Sequence, residues 1–511
     1  MANEPAAGPC TVVIFGASGD LTKRLLVPAL CHLQSFRLLP RNFAMVGVAR
    51  SITKDASLRA ELGKAARELS EIPVADWKKF QRNIFSCAGD FDDPETFRRL
   101  SDLLARLEKE RGTAGNVLFY LATPANAFAP VVEALGKAGL LQEEKGGWRR
   151  VIVEKPFGRD LASAKELNRQ LSAVLREDQT YRIDHYLGKE TVQNLLVFRF
   201  GNALFEPAWN RNYIDNIQIT LAETLGVEGR GKFYETAGAL RDVLENHVFV
   251  LLALIAMEPP TSLQGDGLRN EMGKVLAAIH PFRNSKAVFA HSARGQYRAG
   301  KVDGKKIAAY RAEKNVARDS EVETFAALRL EVDNWRWAGV PFYLRTGKAL
   351  AQRATRIVVE FKTTPLMLFG CGEGPVPPGP NRLIFDIQPQ QAITVHFRGK
   401  TPGAGMHTER VTMDFDYREF QKDPRANGYE TLIYDAMIGD NTLFHRTDLV
   451  ETAWRIATPV LKAWAAKTPR EFPNYAPGSE GPASADKLLL RDGHRWWTPG
   501  PQRARAARGS E

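Results

Sequence analysis

The chain has 511 residues, of which 44% are hydrophobic and 25% are charged. These fractions are typical of a soluble globular protein and argue against a disordered, a collagen-like or a membrane-bundle class. Lys and Arg number 70 against 59 Asp and Glu, and the formal charge of +11 favours an anionic partner: nucleic acid, a membrane surface or a phosphorylated small molecule.

The four cysteines are scattered without a Cys-x-x-Cys pair, and the histidines form no His-Glu-x-x-His cluster. This argues against a disulfide scaffold and a cysteine-rich zinc site, so we expect no metal and a reducing compartment. The N-terminal residues lack the apolar stretch of a signal peptide, and the longest strictly apolar run, 248–257, is too short to span a bilayer. The expected location is the cytoplasm, with no membrane partner.

Strands and helices alternate through the first part of the chain. Residues 11–15 form a continuous apolar run with β-branched side chains, as a buried parallel strand requires, and a helical apolar pattern follows. Further strands are predicted at 43–49, 116–122 and 150–154, and Asp160 is predicted to cap a helix beginning at Leu161. Strand–helix–strand units at this spacing predict an α/β domain with a doubly wound sheet.

Beyond residue 185 the pattern changes to alternating segments separated by short polar turns. These predict strands at 216–221, 325–332, 356–361, 383–387, 392–397 and 411–417, and helices at 236–257 and 448–465. We expect an α+β domain with a large, mainly antiparallel sheet covered by helices. The predicted domains are therefore 1–184 and 185–497, followed by a disordered basic tail at 498–511.

The segment after the first strand, Gly16-Ala-Ser-Gly-Asp-Leu-Thr-Lys23, has the composition of a phosphate loop. Glycines let the backbone turn tightly and approach a pyrophosphate, whose charge is bound by N–H groups at the start of the next helix. Gly-x-x-Gly alone is a weak pattern, but its position between strand and helix favours a Rossmann-like dinucleotide-binding domain. The second strand ends in Ala49-Arg50 without the acid typical of NAD sites, so Arg50 favours the 2′-phosphate of NADP. The alternative is a solvated arginine.

Residues 181–190, Tyr-Arg-Ile-Asp-His-Tyr-Leu-Gly-Lys-Glu, combine a carboxylate with imidazole, phenol and amine groups. A helix starting near Gly188 would let His185 and Lys189 face one ligand, which suits acid–base chemistry and phosphate binding. A polar loop with local salt bridges explains the composition equally well.

Two further positions have two readings each. His247 lies beside the buried stripe of a predicted helix, where a hydrogen-bonded core histidine is more common than a catalyst. Lys155 follows a strand in Glu154-Lys155-Pro156, at the edge where ligands of open α/β sheets collect. Lys155 is interpreted either as a contact to both cofactor and substrate or as a surface lysine.

Together these segments resemble the glucose-6-phosphate dehydrogenase family, and the match extends over residues 11–496. The motifs that carry it are 16–21, 154–158 and 182–190, the pairs Arg241-Asp242 and Asn246-His247, and the segments 339–345, 347–350 and 439–444. The unbroken run from 182 to 190 is highly specific.

The resemblance implies oxidation of glucose 6-phosphate at C1 to 6-phospho-D-glucono-1,5-lactone with hydride transfer to NADP, the first step of the oxidative pentose phosphate pathway. It implies that His247 is the general base and that Asp184 orients and stabilises its imidazole. The implied substrate contacts are Lys155, His185, Tyr186, Lys189, Glu223, Asp242, Lys348 and Arg353. The implied cofactor contacts are Gly16, Ala17, Ser18, Gly19, Asp20, Leu21, Thr22, Lys23, Arg50, Tyr120 and Lys155. A homodimer or homotetramer without a nucleic-acid partner is also implied.

Three positions depart from the family's usual pattern: Lys232 replaces a glycine, Glu235 an aspartate and Glu245 a glutamine. None removes a catalytic group, but the added charge leaves affinity and cofactor preference open. One alternative is another NADP-dependent sugar dehydrogenase, which would not need the cluster of His185, Lys189, Lys348 and Arg353 because its sugar carries no phosphate. The other is a non-catalytic NADP-sensing or nucleic-acid-binding protein, which would not need Asp184 together with His247.

Overall fold

The computed structural model describes residues 4–50, 54–70, 72–143, 146–366, 368–369, 379–420 and 427–499. The described residues form two compact units. The first comprises those of Met1–Asn202, Phe249–Ala277 and Gln421–Thr458, and the second those of Ala203–Val248, Ala278–Phe420 and Pro459–Glu511. Cys371 and, of the predicted tail 498–511, all but its first two residues lie outside the described ranges.

The first unit contains a six-stranded sheet in which every pairing is parallel. Its strands are β1 (Cys10–Phe15), β2 (Phe43–Ala49), β3 (Ile84–Ala88), β4 (Val117–Leu121), β5 (Arg149–Val153) and β6 (Thr180–Arg182). The order β3-β2-β1-β4-β5-β6 is that of a doubly wound Rossmann-like sheet, so the predicted α/β class is confirmed. The sequence analysis missed β3 and β6; β6 has only three residues, and the apolar run of β3 is interrupted by Ser86.

The second unit contains an eight-stranded sheet in the order β16-β15-β14-β13-β7-β12-β11-β8. Its strands are β7 (Ile214–Ala222), β8 (Ser292–Gly295), β11 (Phe325–Glu331), β12 (Pro341–Gly347), β13 (Ala354–Phe361), β14 (Arg382–Gln388), β15 (Ala392–Lys400) and β16 (Thr408–Asp416); β9 (Gly300–Val302) and β10 (Lys305–Ile307) form a separate hairpin. Neighbouring strands are antiparallel except β7 and β12, which are parallel. The predicted mainly antiparallel sheet is confirmed, although β8 and β12 were missed.

Fourteen α-helices lie within the described ranges. They are α1 (Val27–Ser35), α2 (Asp55–Ser70), α3 (Val74–Phe80), α4 (Pro94–Arg111), α5 (Phe128–Lys137), α6 (Leu161–Ser172), α7 (Glu190–Phe200), α8 (Gly231–Ala239), α9 (Phe249–Ala256), α10 (Asp266–Ala277), α11 (Ser285–His291), α12 (Tyr429–Ile438), α13 (Thr447–Ala465) and α14 (Ala483–Leu490). Asp160 caps α6 as predicted, because its Oδ1 accepts a hydrogen bond of 2.8 Å from the N–H of Ser163. None of the described helices has both the length and the hydropathy that a membrane span requires.

The predicted single helix at 236–257 is interrupted. Gly238 has φ of +64° and ψ of 176°, which ends the regular helix, and Leu240–Val248 then continues as a π-helical segment before α9. A Cβ at Gly238 would lie 2.5 Å from Oε1 of Glu323, and that same oxygen accepts the N–H of Leu240 at 3.1 Å. The π-helical segment packs on β7, β11 and β12.

The core of the first unit connects elements that are distant in sequence. Buried side chains of β1, such as Val12 and Ile14, pack in one cluster with Leu30 of α1 and Leu432 of α12. The helices α1 and α12 are in direct contact. The strand β1 and its following loop are therefore held between apolar layers, which rigidifies the carboxyl edge of the parallel sheet.

Candidate functional site

The loop from Gly16 to Lys23 follows β1 and leads into a π-helical turn, Thr22–Leu26, that continues as α1. Gly16 has φ of +86°, and a Cβ there would collide with the carbonyl oxygen of Ala122. The N–H groups of Gly16 and Ala17 both donate to the carbonyl of Val48. This tight turn fits the first glycine of a dinucleotide-binding loop, and the N–H groups of the first helical turn have no carbonyl partner within the helix.

The side chains of this loop differ in exposure. Ala17 and Thr22 are buried, and the hydroxyl of Thr22 donates to the carbonyl of Gly16 at 3.1 Å. Lys23 is paired with Glu61 at 2.6 Å. Asp20 is exposed. The remaining predicted cofactor contacts of the loop are partly exposed, and they are Gly16, Ser18, Gly19 and Leu21. The loop therefore offers a phosphate mainly backbone N–H groups.

Arg50 lies directly after β2, as the sequence analysis expected, and 79% of its side chain is exposed. Its guanidinium Nη1 lies 3.7 Å from Oδ2 of Asp90. An exposed guanidinium at this edge of the sheet can form a bidentate contact with a 2′-phosphate. The Asp90 carboxylate would then share that guanidinium.

A buried carboxyl group, that of Glu154, lies directly after β5. Glu154 Oε1 accepts hydrogen bonds from the hydroxyls of Tyr120 at 2.6 Å and Tyr429 at 3.3 Å. Burial raises the pKa of the Glu154 carboxyl above its ordinary value, and the hydroxyl donors and the charge of Lys155 oppose that shift. Tyr120 is fully buried and contacts Glu154, while the adjacent Lys155 is half-buried.

Asp184 begins a compact turn that ends at the first residue of α7. Asp184 Oδ1 accepts the N–H of Tyr186 at 2.9 Å, and its carbonyl accepts the N–H of Leu187. Lys189 is the N-cap residue of α7, and its Nζ lies 3.8 Å from the centre of the Tyr186 ring. The turn brings a buried carboxylate, an imidazole, a phenol and an amine together at a helix N-terminus, which suits an anionic ligand.

Two residues from much later in the chain, Tyr429 and His445, lie against this turn. The ring of His185 lies parallel to that of Tyr429, with centres 6.2 Å apart and an interplanar angle of 3°. His445 Nε2 lies 3.8 Å from Asp184 Oδ2. Neither Tyr429 nor His445 was predicted from the sequence, because each lies more than 200 residues beyond the motif. Glu154 lies in the segment Glu154-Lys155-Pro156, but the sequence pattern indicates no function for it.

The second unit holds the other predicted residues. Glu223 and Lys348 directly follow the parallel neighbours β7 and β12, and Lys348 Nζ lies 2.6 Å from Glu223 Oε2. Lys348 is buried, with its Nζ 5.8 Å from the ring centre of Tyr234. Arg353 is exposed just before β13. The strand ends therefore bring Glu223 and Lys348 together, whereas Arg353 extends to solvent.

Asp242 and His247 belong to the π-helical segment Leu240–Val248, and both side chains are buried. In a π-helix the hydrogen bonds join residues five apart, so these two residues are one turn apart along the helix. Such segments often occur at functional sites. The predicted base thus lies on an irregular helix that packs on the sheet, rather than on the regular helix that the sequence pattern indicated.

The three departures from the family pattern have different surroundings. Glu235 accepts hydrogen bonds from the hydroxyls of Tyr310 and Ser320, each at 2.6 Å, so its charge is satisfied within the second unit. Lys232 is exposed, and Glu245 is buried on the π-helical segment.

Comparison with known proteins identifies the family. The model for "Glucose-6-phosphate dehydrogenase, NAD binding domain" matches residues 13–194, and that for "Glucose-6-phosphate dehydrogenase, C-terminal domain" matches residues 196–497. The chain is 44% identical over 494 residues to a glucose-6-phosphate 1-dehydrogenase of Chlamydia pneumoniae, covering 96% of both chains. It is 41% identical over 486 residues to that of Bacillus subtilis, covering 95% of this chain and 98% of the other.

Two solved structures agree with this result. One is a glucose-6-phosphate dehydrogenase in complex with its substrate glucose-6-phosphate, with 33% identity and a TM-score of 0.85. The other is glucose-6-phosphate 1-dehydrogenase from Mycobacterium avium, with 35% identity and a TM-score of 0.80. Each match covers 97% of this chain and 100% of the other. This chain belongs to the glucose-6-phosphate dehydrogenase family.

Proposed function

We propose that this chain oxidises D-glucose 6-phosphate at C1 to 6-phospho-D-glucono-1,5-lactone and transfers the hydride to NADP. Membership of the family over nearly the whole chain carries the proposal, together with the turn from Asp184 to Lys189. In that turn a buried carboxylate for acid–base work adjoins an imidazole and an amine that suit a phosphate. An unphosphorylated sugar would not need those cationic groups.

The proposed base is His247, which removes the proton of the C1 hydroxyl. A hydride leaves the carbon readily only as this proton is lost, so the base acts within hydrogen-bond reach of the hydroxyl oxygen. Asp184 is proposed to orient the imidazole and to stabilise its cation, as in other carboxylate–histidine pairs.

The phosphate of the substrate serves as a binding handle remote from C1, and it positions C1 for reaction. We assign His185, Tyr186 and Lys189 to this phosphate. Glu223, Asp242, Lys348 and Arg353 are assigned to further sugar and phosphate contacts. The Glu223–Lys348 pair already satisfies each charge before substrate arrives, so the substrate exchanges one anionic partner of Lys348 for another.

The proposed cofactor residues are the loop from Gly16 to Lys23, Arg50, Tyr120 and Lys155. The tight turn at Gly16 and the exposed guanidinium of Arg50 fit a dinucleotide that carries a 2′-phosphate. When bound, NADP supplies the hydride acceptor. Lys155 is proposed to contact both ligands, since it follows β5 at the carboxyl edge of the sheet.

We further propose the domain boundaries 1–184 and 185–497, a homodimer or homotetramer, and a cytoplasmic location. The two family models change over between residues 194 and 196, close to the first boundary. The large sheet of the second unit is proposed as the oligomerisation element.

An absorbance assay for reduced cofactor tests the activity, comparing glucose 6-phosphate and glucose with NADP and with NAD. We expect kcat/KM for glucose 6-phosphate to exceed that for glucose at least about a hundredfold, because two charge-assisted hydrogen bonds contribute about 1.5–3 kcal/mol each. In the control variant His247→Asn, kcat should fall by about 10²–10⁴ with little change in KM. Comparable kcat/KM values for the two sugars would refute the substrate assignment. An active His247→Asn variant would place the base elsewhere.

A further inference from the structure

A buried polar pair joins α1 and α12 within the apolar core of the first unit. Nδ1 of His32 lies 2.7 Å from Oε1 of Glu430, which is hydrogen-bond distance, and the two side chains are 8% and 0% exposed. The two helices are in direct contact around this pair. Apolar side chains would fill such a contact at a lower desolvation cost, whereas a hydrogen-bonded pair fixes how the two helices meet.

The second oxygen of Glu430 organises the start of α12. Glu430 Oε2 accepts the backbone N–H of Asn427 at 3.0 Å, and Oδ1 of Asn427 accepts the N–H of Tyr429 at 3.0 Å. This reciprocal arrangement is similar to a capping box, in which two side chains three residues apart satisfy backbone N–H groups where a helix begins. Glu430 therefore binds the first turn of α12 with one oxygen and α1 with the other.

The start of α12 lies directly against the turn that carries the proposed phosphate ligands. A Cβ at Gly428 would lie 3.2 Å from the carbonyl oxygen of His185 and 3.0 Å from the carbonyl carbon of Gly188, so the two backbones are in close contact. The ring of Tyr429 lies parallel to that of His185, and its hydroxyl donates to Glu154 at 3.3 Å. A displacement of the first turn of α12 would therefore move the surface on which His185 rests.

We propose that Glu430, held by His32, is a positioning residue for the binding of the substrate phosphate. The inference rests on the proposed function, in which His185 and Lys189 bind that phosphate. Glu430 acts through the start of α12, which supports His185 by backbone contact and by the ring of Tyr429. Because the phosphate is a handle remote from C1, this support contributes to the use of a phosphorylated sugar and not to that of an unphosphorylated one.

The test measures kcat/KM for glucose 6-phosphate and for glucose in the wild type, His32→Leu and Glu430→Gln. Leu removes the partner of Glu430 Oε1, and Gln offers one acceptor oxygen where the carboxyl group offers two, so each variant loses one buried hydrogen bond. We expect kcat/KM for glucose 6-phosphate to fall about two- to tenfold in each. The value for glucose should stay within about twofold of wild type, so the preference for the phosphorylated sugar decreases.

Three further measurements separate positioning from a general loss of stability. The inhibition constant of inorganic phosphate, competing with glucose 6-phosphate, should rise by the same factor as the preference falls. The variant His32→Asn retains an amide donor close to the position of Nδ1 and should restore most of the preference. Asn168→Ala is the matched control, because it removes a 3.1 Å hydrogen bond between a buried α6 side chain and Glu451 of α13. It should lower the Tm without changing the preference.

Thermal unfolding shows whether each variant folds, and Glu430→Gln tests the proposal alone if His32→Leu does not fold. Equal losses for both sugars, or an unchanged inhibition constant of phosphate, would overturn the role of Glu430. The same holds if Asn168→Ala reduced the preference as strongly as Glu430→Gln. A wild type without preference for glucose 6-phosphate would refute the proposed function instead, and this result is known before any variant is compared.

Discussion

The carboxyl group of Glu154 is buried at the end of β5 and accepts the hydroxyls of Tyr120 and Tyr429 at 2.6 and 3.3 Å. Tyr429 in turn stacks on His185. Glu154, next to Lys155, therefore connects the end of β5 with Tyr429, whose ring stacks on the proposed phosphate ligand His185. Burial raises the pKa of this carboxyl, so the folded state favours its protonated form more than the unfolded chain does.

The variant Glu154→Gln should reveal this shift in stability measurements. Because the pKa of the Glu154 carboxyl is higher in the folded state, this group stabilises the fold fully at pH values below its pKa in the unfolded chain, about 4.3. This stabilisation is lost as the pH rises through the pKa of the folded state. The stability of the variant relative to wild type should therefore increase as the pH rises above about 4.3, by at most about 1.4 kcal/mol per pH unit.

Thermal unfolding at a series of pH values measures this difference, with Glu133→Gln as the control. Glu133 is exposed and paired with Lys137, and this pairing lowers its pKa. Its contribution to stability is therefore constant above its ordinary pKa, and the control difference should stay flat. A flat profile for Glu154→Gln as well would contradict the raised pKa.

At the scale of elements, the turn before α7 depends on close backbone contact with the segment before α12. A Cβ at Gly188 would collide with the carbonyl oxygen of Gly428 and lie 2.9 Å from Cδ1 of Leu432. Two glycines therefore allow the turn that carries His185 and Lys189 to lie directly on a segment from the far end of the chain.

We expect Gly188→Ala to lower stability by about 1–3 kcal/mol, because backbone atoms must move to admit the methyl group. KM for glucose 6-phosphate should rise more than kcat falls, since the displaced side chains are those assigned to the phosphate. Thermal unfolding and steady-state kinetics measure both effects. Gly8→Ala is the matched control, because a Cβ at Gly8 meets no atom within 4 Å. If Gly188→Ala and Gly8→Ala had the same stability and the same KM, the turn would tolerate the added methyl group at position 188.

At the scale of the whole molecule, β16 forms one edge of the eight-stranded sheet among the described strands of the second unit. The strand β16 ends the strand order, and Met413 on it is 62% exposed. An exposed edge with apolar side chains favours association with another chain. The formal charge of +11 opposes association at low salt, so a stable oligomer requires a contact surface that outweighs this repulsion.

Sedimentation equilibrium should therefore give a mass two or four times the 56.9 kDa of the chain at micromolar concentration. Raising the salt concentration should leave that mass unchanged or increase it, because screening weakens like-charge repulsion. A monomer at all salt concentrations would refute the proposed homodimer or homotetramer.

Much of the fold was predictable because its determinants are local. β1 is a run of buried apolar residues, so its strand character and the following loop could be read from neighbouring positions. The same holds for β13 and β14, which are rich in β-branched and aromatic side chains. The missed β6 has three residues, and its place in the sheet comes from pairing with β5 rather than from its own pattern.

The sequence by itself determined which side chains are proposed to carry chemistry, because the motif from Arg182 to Glu190 and the loop from Gly16 to Lys23 are contiguous. Only the tertiary structure decided which distant groups surround them. Tyr429 reaches His185 and Glu154, and His445 reaches Asp184, through pairing and packing between segments more than 200 residues apart. Local periodicity holds no information about such contacts, since they arise when separate elements bury their apolar faces against one another.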